Sequence, residues 1–122
     1  MAHGINHVMI GQSMPIDTNP AVIAVIQSGT PREVIAKSIV ISNNTDSDQE
    51  FSIFIPLNAI TNPSQYGPAN AIAYRLPIKA RRMVCLEGYF PISNVGQTYA
   101  VQSSEGSALT FTFFGGSVPQ TS

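Results

Sequence analysis

Two alternating apolar runs on either side of a polar turn constrain the fold of this chain more than any other feature. The first run covers residues 33–42 and places Ile35, Ile39 and Ile41 on one face. The second covers residues 49–57. Side chains alternate across a strand, so apolar residues spaced by two bury together only in a strand. The opposite face of the first run carries Val34, Ala36 and Val40, and the second run aligns Phe51, Ile53, Ile55 and Leu57.

The link between these runs, residues 43–48, reads Asn-Asn-Thr-Asp-Ser-Asp. These residues favour turns because their side chains bond to the nearby backbone. The pattern predicts a central hairpin, and a two-layer sandwich is the simplest way to bury its apolar face.

Further runs of the same kind lie before and after these two. They cover residues 21–27, 71–78, 82–88, 98–104 and 107–116. The last two are expected to form a hairpin around a Glu-Gly turn. With about seven or eight strands and no helix required, the sequence predicts an all-β fold: a single antiparallel β-sandwich or jelly-roll-like domain over residues 21–116.

Three other segments have weaker patterns. Residues 1–20 are interrupted by two prolines and are expected to be an N-terminal arm or the first strand, while residues 117–122 resemble a short C-terminal tail. Residues 58–70 form the longest irregular stretch inside the domain, and long loops often carry binding surfaces.

Charge and cysteine content reduce the number of functional classes that fit this chain. Charged residues make up 11% of the chain, its net charge is −1 and its pI is about 6.0, so neither nucleic acid nor an anionic membrane is expected as a partner. Cys85 is the only cysteine and is expected to be buried and inert. The first residues lack a signal-peptide pattern, which indicates synthesis in a reducing cytoplasm.

The sequence contains no motif typical of catalysis. Both histidines, His3 and His7, lie within residues 1–20, and no third metal ligand accompanies them. Asp46, Asp48 and Glu50 alternate like part of a calcium loop but lack its glycine and distal glutamate. We therefore expect no enzymatic activity, no metal and no cofactor.

The one marked charge feature is a basic cluster. Four of the six basic residues lie within residues 75–82: Arg75, Lys79, Arg81 and Arg82. One interpretation is that this cluster binds an acidic strip on a partner protein. The other is that it caps a strand–turn–strand corner and protects an exposed edge from unwanted pairing.

A resemblance to a known family indicates a function for the chain as a whole. The stretch KSIVISNNTDSDQEFSIFI, followed by ANAIAYRLPIKARRMVCLEGYFPISNVGQTYAVQSSEGSALTFTFFG, resembles a family of small β-sandwich virion proteins of tailed bacteriophages over about 90 residues. The resemblance implies a capsid decoration or cement protein on the capsid surface, made in the host cytoplasm. It also implies a homotrimer that binds the major capsid protein.

Residues 1–20 include apolar side chains that could make such an attachment. An extended arm buries much area per residue when it folds onto a neighbour. The candidate anchors, beside the basic cluster, are Ile5, Val8, Met9, Ile10 and Met14.

Two other functional classes stay open. A tail, baseplate or fibre-adaptor subunit of a virion would use the same fold. A carbohydrate-binding sandwich would need exposed aromatic rings, for which Tyr66, Tyr89 and Phe90 are the candidates.

Overall fold

The strands of the chain were located in a computed structural model, which describes residues 8–27 and 32–119. Eight strands account for most of these residues, and two short 3-10 turns, Pro63–Gln65 and Pro68–Asn70, interrupt the link between the fourth and fifth strands. The strands are β1 (Val8–Ser13), β2 (Ala21–Val25), β3 (Arg32–Asn43), β4 (Gln49–Phe54), β5 (Ala71–Ile78), β6 (Met83–Ile92), β7 (Thr98–Ser103) and β8 (Leu109–Pro119). Within the described residues no helix is long and apolar enough to cross a membrane.

The strands form two four-stranded antiparallel sheets that pack face to face. One sheet, here called the first sheet, has the order β1-β8-β3-β6, and the second has the order β2-β7-β4-β5. Every connection except that between β4 and β5 joins strands of different sheets. This arrangement is the eight-stranded jelly roll. The prediction of an all-β, antiparallel sandwich or jelly roll is confirmed.

The two predicted hairpins are wrong. The link after β3 leads to β4 in the other sheet, and the link after β7 likewise leads to β8 in the other sheet. Turn residues such as Asn, Asp and Gly are needed equally by a hairpin and by a corner between sheets, so the local sequence does not distinguish them.

The ends of several elements also differ from the expectation. Strand β6 continues to Ile92, beyond the predicted run at residues 82–88, and β8 continues through Pro119, so residues 117–119 belong to a strand and not to a tail. Residues 8–13 form the edge strand β1 beside β8. Strand β4 ends at Phe54, and Leu57, which the pattern placed in the core, is exposed.

The core lies between the inner faces of the two sheets. The first sheet contributes Ile39, Ile41, Leu109, Phe111 and Phe113, and the second contributes Phe51, Ile53, Tyr99 and Val101. Each side chain in this list is almost fully buried. Burying a side chain of this size contributes about 1.5–3 kcal/mol relative to leaving it exposed.

A β-bulge corrects the predicted inner face of β3. The register of β3 against both neighbours shifts between Ala36 and Ser38. A bulge adds one residue to one strand and so reverses the alternation of the residues on its two sides. As a result Ala36, and not Ile35, joins Ile39 and Ile41 in the core cluster. Gly115 of β8 fits against this bulge because a Cβ there would overlap the Ile35 carbonyl oxygen.

The Tyr99 hydroxyl joins the two sheets next to the bulge. It accepts a hydrogen bond from the Ala36 N–H at 2.9 Å and lies within bonding reach of the carbonyl oxygens of Val34, at 3.1 Å, and Phe90. Tyr99 belongs to β7, whereas these partners belong to β3 and β6. One buried hydroxyl therefore meets backbone groups from two strands of the opposite sheet.

Removing this hydroxyl should destabilise the fold. We expect Tyr99→Phe to lower the free energy of unfolding by about 1–3 kcal/mol, because the buried Ala36 N–H loses its acceptor. Urea denaturation measures this loss. Tyr66→Phe is the matched control: among the described residues its hydroxyl bonds the Thr98 hydroxyl, and we expect a loss of about 0.5–1.5 kcal/mol at most. A smaller loss for Tyr99→Phe than for Tyr66→Phe would contradict the role assigned to Tyr99.

The same hydroxyl should make the fold sensitive to alkali. Burial raises the pKa of Tyr99 above its ordinary value, and this effect outweighs the Ala36 hydrogen bond, which lowers it. The neutral phenol is thus the form that the fold stabilises. Its contribution is complete below about pH 10, the pKa of an unfolded tyrosine, and is lost progressively as the pH rises above it.

This sensitivity can be measured by comparing unfolding free energies at pH 8 and at about pH 11. The native chain should lose more stability over this interval than Tyr99→Phe does. Equal losses would show that Tyr99 is not the group responsible.

Candidate functional site

Three of the four clustered cations meet at one corner of the sandwich. Lys79, Arg81 and Arg82 lie in the turn between β5 and β6, whereas Arg75 lies within β5. The loop between β3 and β4 packs beside this turn, since the Arg81 N–H donates to the Thr45 carbonyl at 3.1 Å.

Two of the corner cations are paired within the chain. The Lys79 ammonium lies 3.4 Å from Asp48, and the Arg81 guanidinium lies 2.7 Å from Asp46. The Ala80 N–H also donates to Asp48 at 3.0 Å. That hydrogen bond is the main cause of a lowered Asp48 pKa, with the Lys79 charge acting in the same direction.

These contacts favour the interpretation of the cluster as a corner cap. Solvent-exposed pairs of this kind contribute little to stability, but they engage charges that a partner would otherwise bind. Arg82 has no ion-pair partner within residues 8–27 and 32–119. In the sequence, Asp46 and Asp48 belong to the predicted turn at residues 43–48, and only the folded arrangement brings them to the cations.

A buried asparagine organises the same corner. The Asn43 side-chain amide lies within hydrogen-bond distance of the carbonyls of Ser47, Ile78 and Lys79, at 2.9–3.2 Å. Its side-chain oxygen accepts from the Thr45 N–H and hydroxyl. The turn pattern predicts an ordinary turn residue at Asn43, but in the fold its side chain ties the β3–β4 loop to the β5–β6 turn.

Replacing this asparagine should separate the two turns. We expect Asn43→Asp to cost roughly 2–4 kcal/mol, because a buried carboxylate has no N–H to donate to three carbonyl oxygens. Asn44→Asp adds the same charge at an exposed neighbour and should change stability by only about 0.5 kcal/mol. Thermal or chemical unfolding compares the two variants, and similar losses would contradict the role given to Asn43.

The predicted apolar anchors that the structure describes lie in or next to strand β1. Ile5 lies outside the described residues. Val8 begins β1, where its backbone pairs with Gly115. Ile10 packs against the core, while Met9 and Met14 are exposed. Apart from Ile5, four of these residues are thus in or next to an edge strand of the first sheet.

Exposed apolar residues gather on the outer face of the first sheet. Met9 is 52% exposed and pairs with Phe114 of β8, which is 38% exposed. One row further along, Val40 of β3 pairs with Cys85 of β6. Met83, at the start of β6, is 65% exposed. We call these five residues the outer apolar face; one comes from each of β1, β8 and β3 and two come from β6, and the polar Ser38 and Thr112 lie in the same rows.

The position of Cys85 differs from the prediction. The sequence predicted a buried thiol, but Cys85 is exposed and lies 3.4 Å from the Ser38 hydroxyl. Strand β6 is an edge strand whose inner face is formed by Val84 and Leu86, so the residue between them points outward.

The aromatic residues proposed for stacking on sugars do not share a surface. Tyr66 packs against Phe54 at 5.4 Å between ring centroids, and its hydroxyl bonds Thr98 in the second sheet. Phe90 packs against the core. Tyr89 is exposed on β6 of the other sheet, with the Lys37 ammonium 5.4 Å from its ring. The structure brings no two of these three together as a platform.

The two histidines singled out in the sequence, His3 and His7, lie outside the described residues. Within the described part of the chain no three His, Cys, Asp or Glu side chains are placed to hold a metal ion.

Comparisons with known proteins place the chain in no family. No protein-family model matches it, and neither does any curated protein sequence. Several solved structures are similar. The core of the Drosophila protein NLP, whose structure is described in terms of pentamer formation and histone binding, is 12% identical over 94% of this chain and 98% of its own, with a TM-score of 0.45.

Two other similar structures come from assemblies. A protein of the disulfide-linked pili of Bacillus endospore appendages is 9% identical over 99% of this chain and 96% of its own, with a TM-score of 0.47. A pentameric capsid protein from metagenomic phage sequences is 13% identical over 93% of this chain and 61% of its own, with a TM-score of 0.40. Similarities this low do not assign a function.

Proposed function

We propose that this chain is a structural subunit of a virion, and specifically a capsid decoration or cement protein. It self-associates as a homotrimer on the capsid surface and bridges subunits of the major capsid protein. The observation that carries the proposal is the outer apolar face, defined above by Met9, Val40, Met83, Cys85 and Phe114.

This face is separate from the core. The inner side of the first sheet already fills the core with Ile39, Phe111 and Phe113, so the exposed Met9 and Phe114 contribute nothing to it. Large apolar side chains that collect on one exposed surface are typical of interaction sites. Methionine suits such a site because its flexible thioether adapts to the surface of a partner.

The charge distribution supports the same assignment. Interface centres are depleted of charged residues, and only 11% of this chain is charged. The paired cations of the basic corner lie in the turn beyond β5, away from the middle of the first sheet. In this proposal the apolar face makes the main contact, and Arg82, which directly precedes β6 and has no ion-pair partner among the described residues, is available to add to it, whereas Arg75 lies on the second sheet.

The face can be tested by binding. We expect the double variant Met9→Ser/Phe114→Ser to fold and to bind particles that lack this protein at least about tenfold more weakly than the native chain, since an apolar contact has been removed. Co-sedimentation with such particles, quantified over a concentration series, gives the affinity.

Val22→Ser is the matched control. Val22 is also 52% exposed, but it lies on β2 of the second sheet. It should bind as the native chain does. If Val22→Ser weakened binding and the double variant did not, the contact surface would lie on the other sheet, and the proposal would be wrong.

A tail, baseplate or fibre-adaptor subunit is the second candidate, and the same apolar face would serve it. The carbohydrate-binding hypothesis that rests on Tyr66, Tyr89 and Phe90 is not favoured, because these rings lie on different parts of the molecule.

A further inference from the structure

A polar hollow of about 330 Å³ lies on the outer side of the second sheet. The β1–β2 loop closes one side of it, and strands β4, β5 and β7 form its floor. Its lining includes Thr18, Glu50, Ser52, Arg75, Gln102 and Ser104. This volume is at the lower end of the range for small-molecule sites, roughly 300–1,000 Å³, but such sites are mostly apolar, whereas this lining is polar.

Two opposite charges face the hollow without neutralising each other. Within residues 8–27 and 32–119, neither the Glu50 carboxylate nor the Arg75 guanidinium belongs to an ion pair. The acids of the nearby corner pair with Lys79 and Arg81 instead. The hollow therefore offers a strong acceptor and a strong donor to the same ligand.

The walls of the hollow are held by hydrogen bonds. The Gln102 side-chain amide donates to the Thr18 carbonyl at 2.8 Å and fixes the β1–β2 loop over the sheet. The Ser104 hydroxyl accepts from the Glu50 N–H at 2.8 Å and donates to the Gln49 side chain at 2.7 Å. These contacts hold the lining in place before any ligand arrives, which lowers the entropic cost of binding.

The backbone at Arg75 is strained. Its φ of 50° lies in the left-handed region, which a residue such as arginine rarely adopts. The Arg75 N–H donates to the hydroxyl of the buried Ser52 at 2.9 Å, and this bond holds the unusual conformation. Tyr74 and Arg75 together oppose Ser52 in the register of β5 against β4, so this conformation belongs to a β-bulge, and bulges change the direction of side chains next to binding sites.

An aromatic ring adjoins the charged pair. The Arg75 guanidinium lies 5.4 Å from the ring centroid of Tyr74, which is itself partly exposed and supported from behind by Phe54. The hollow itself combines a carboxylate, a guanidinium, an amide and hydroxyls, and Tyr74 lies beside Arg75, outside the lining.

We propose that this hollow binds a neutral saccharide unit. Sugar hydroxyls donate and accept at adjacent positions, so one ring can donate to Glu50 while accepting from Arg75 and Gln102. An anion would be repelled by Glu50 and a cation by Arg75. This site is independent of the outer apolar face and of the proposed virion role.

The test is a titration of the full-length ¹⁵N-labelled chain by NMR. The probes are methyl β-D-glucopyranoside, methyl β-D-galactopyranoside, methyl α-D-mannopyranoside and N-acetylglucosamine. For at least one of them we expect amide shifts confined to the lining residues and their neighbours, with a Kd of about 1–10 mM, as befits an open site with few contacts.

Two variants separate binding from folding. Glu50→Gln keeps the shape and removes the carboxylate. Arg75→Gly removes the guanidinium and suits the left-handed backbone, so its melting temperature should equal or exceed that of the native chain. Each should weaken binding at least about tenfold. Glu87→Gln, on the first sheet, is the control and should bind normally.

Three results would overturn the proposal. One is the absence of shifts with all four sugars. Another is unchanged binding by Glu50→Gln and Arg75→Gly. The third is an equal response to glycine, whose carboxylate and ammonium would match Arg75 and Glu50 directly and would make the site one for a zwitterion.

Discussion

The hydrogen bonds of the Tyr99 hydroxyl are the constraint around which the sandwich is arranged. The hydroxyl stands between the two sheets and meets backbone groups of β3 and β6. A polar group in this position is costly unless it is bonded, and the bulge at Ala36 supplies an N–H in the required place. The same bulge turns Ala36 inward and lets Gly115 of β8 pack against the strand. One side chain therefore couples the packing of the sheets to the register of β3 with both of its neighbours.

At the end of the sandwich where β3 leads into β4, a second buried polar group has a comparable role. Asn43 closes β3 and binds the carbonyls of the turn between β5 and β6, so the corner is joined by an amide rather than by apolar contact. The ion pairs of Lys79 and Arg81 then form on the surface of a corner that is already closed. Among the described residues every buried side-chain nitrogen and oxygen has a hydrogen-bond partner. This complete pairing is typical of a rigid building block.

Sequence patterns predicted most of the strands but little of their arrangement. The period of two in β3 and β4 is a local property, and it was sufficient to identify them. Whether the turn at residues 43–48 makes a hairpin or crosses to the other sheet depends on distant partners, and the prediction failed there. The bulge in β3 has no local signal either. Strand β6 was predicted too short because Gly88 and Pro91 resemble loop residues, yet an edge strand tolerates both.

The candidate sites, too, could be predicted from the sequence only in part. The basic cluster is visible in the sequence, but its acidic partners are 31 and 35 residues away along the chain. The polar hollow was missed because its lining comes from three strands and two loops that meet only in the fold. The outer apolar face likewise takes one or two residues from each strand of the first sheet. Of these residues, only Met9 was predicted from the sequence as a contact residue. Surfaces of this kind follow from the strand order, which the sequence did not reveal.

The central claim is that the chain is a virion subunit that attaches through the outer apolar face. Electron cryomicroscopy of the intact particle produced by the encoding genome tests it most directly. The proposal predicts copies spread over the capsid at its local threefold positions, with β1, β8, β3 and β6 turned toward the major capsid protein. A single ring of copies at the tail would transfer the protein to the adaptor class. Its absence from the particle, or attachment through the second sheet, would contradict the claim.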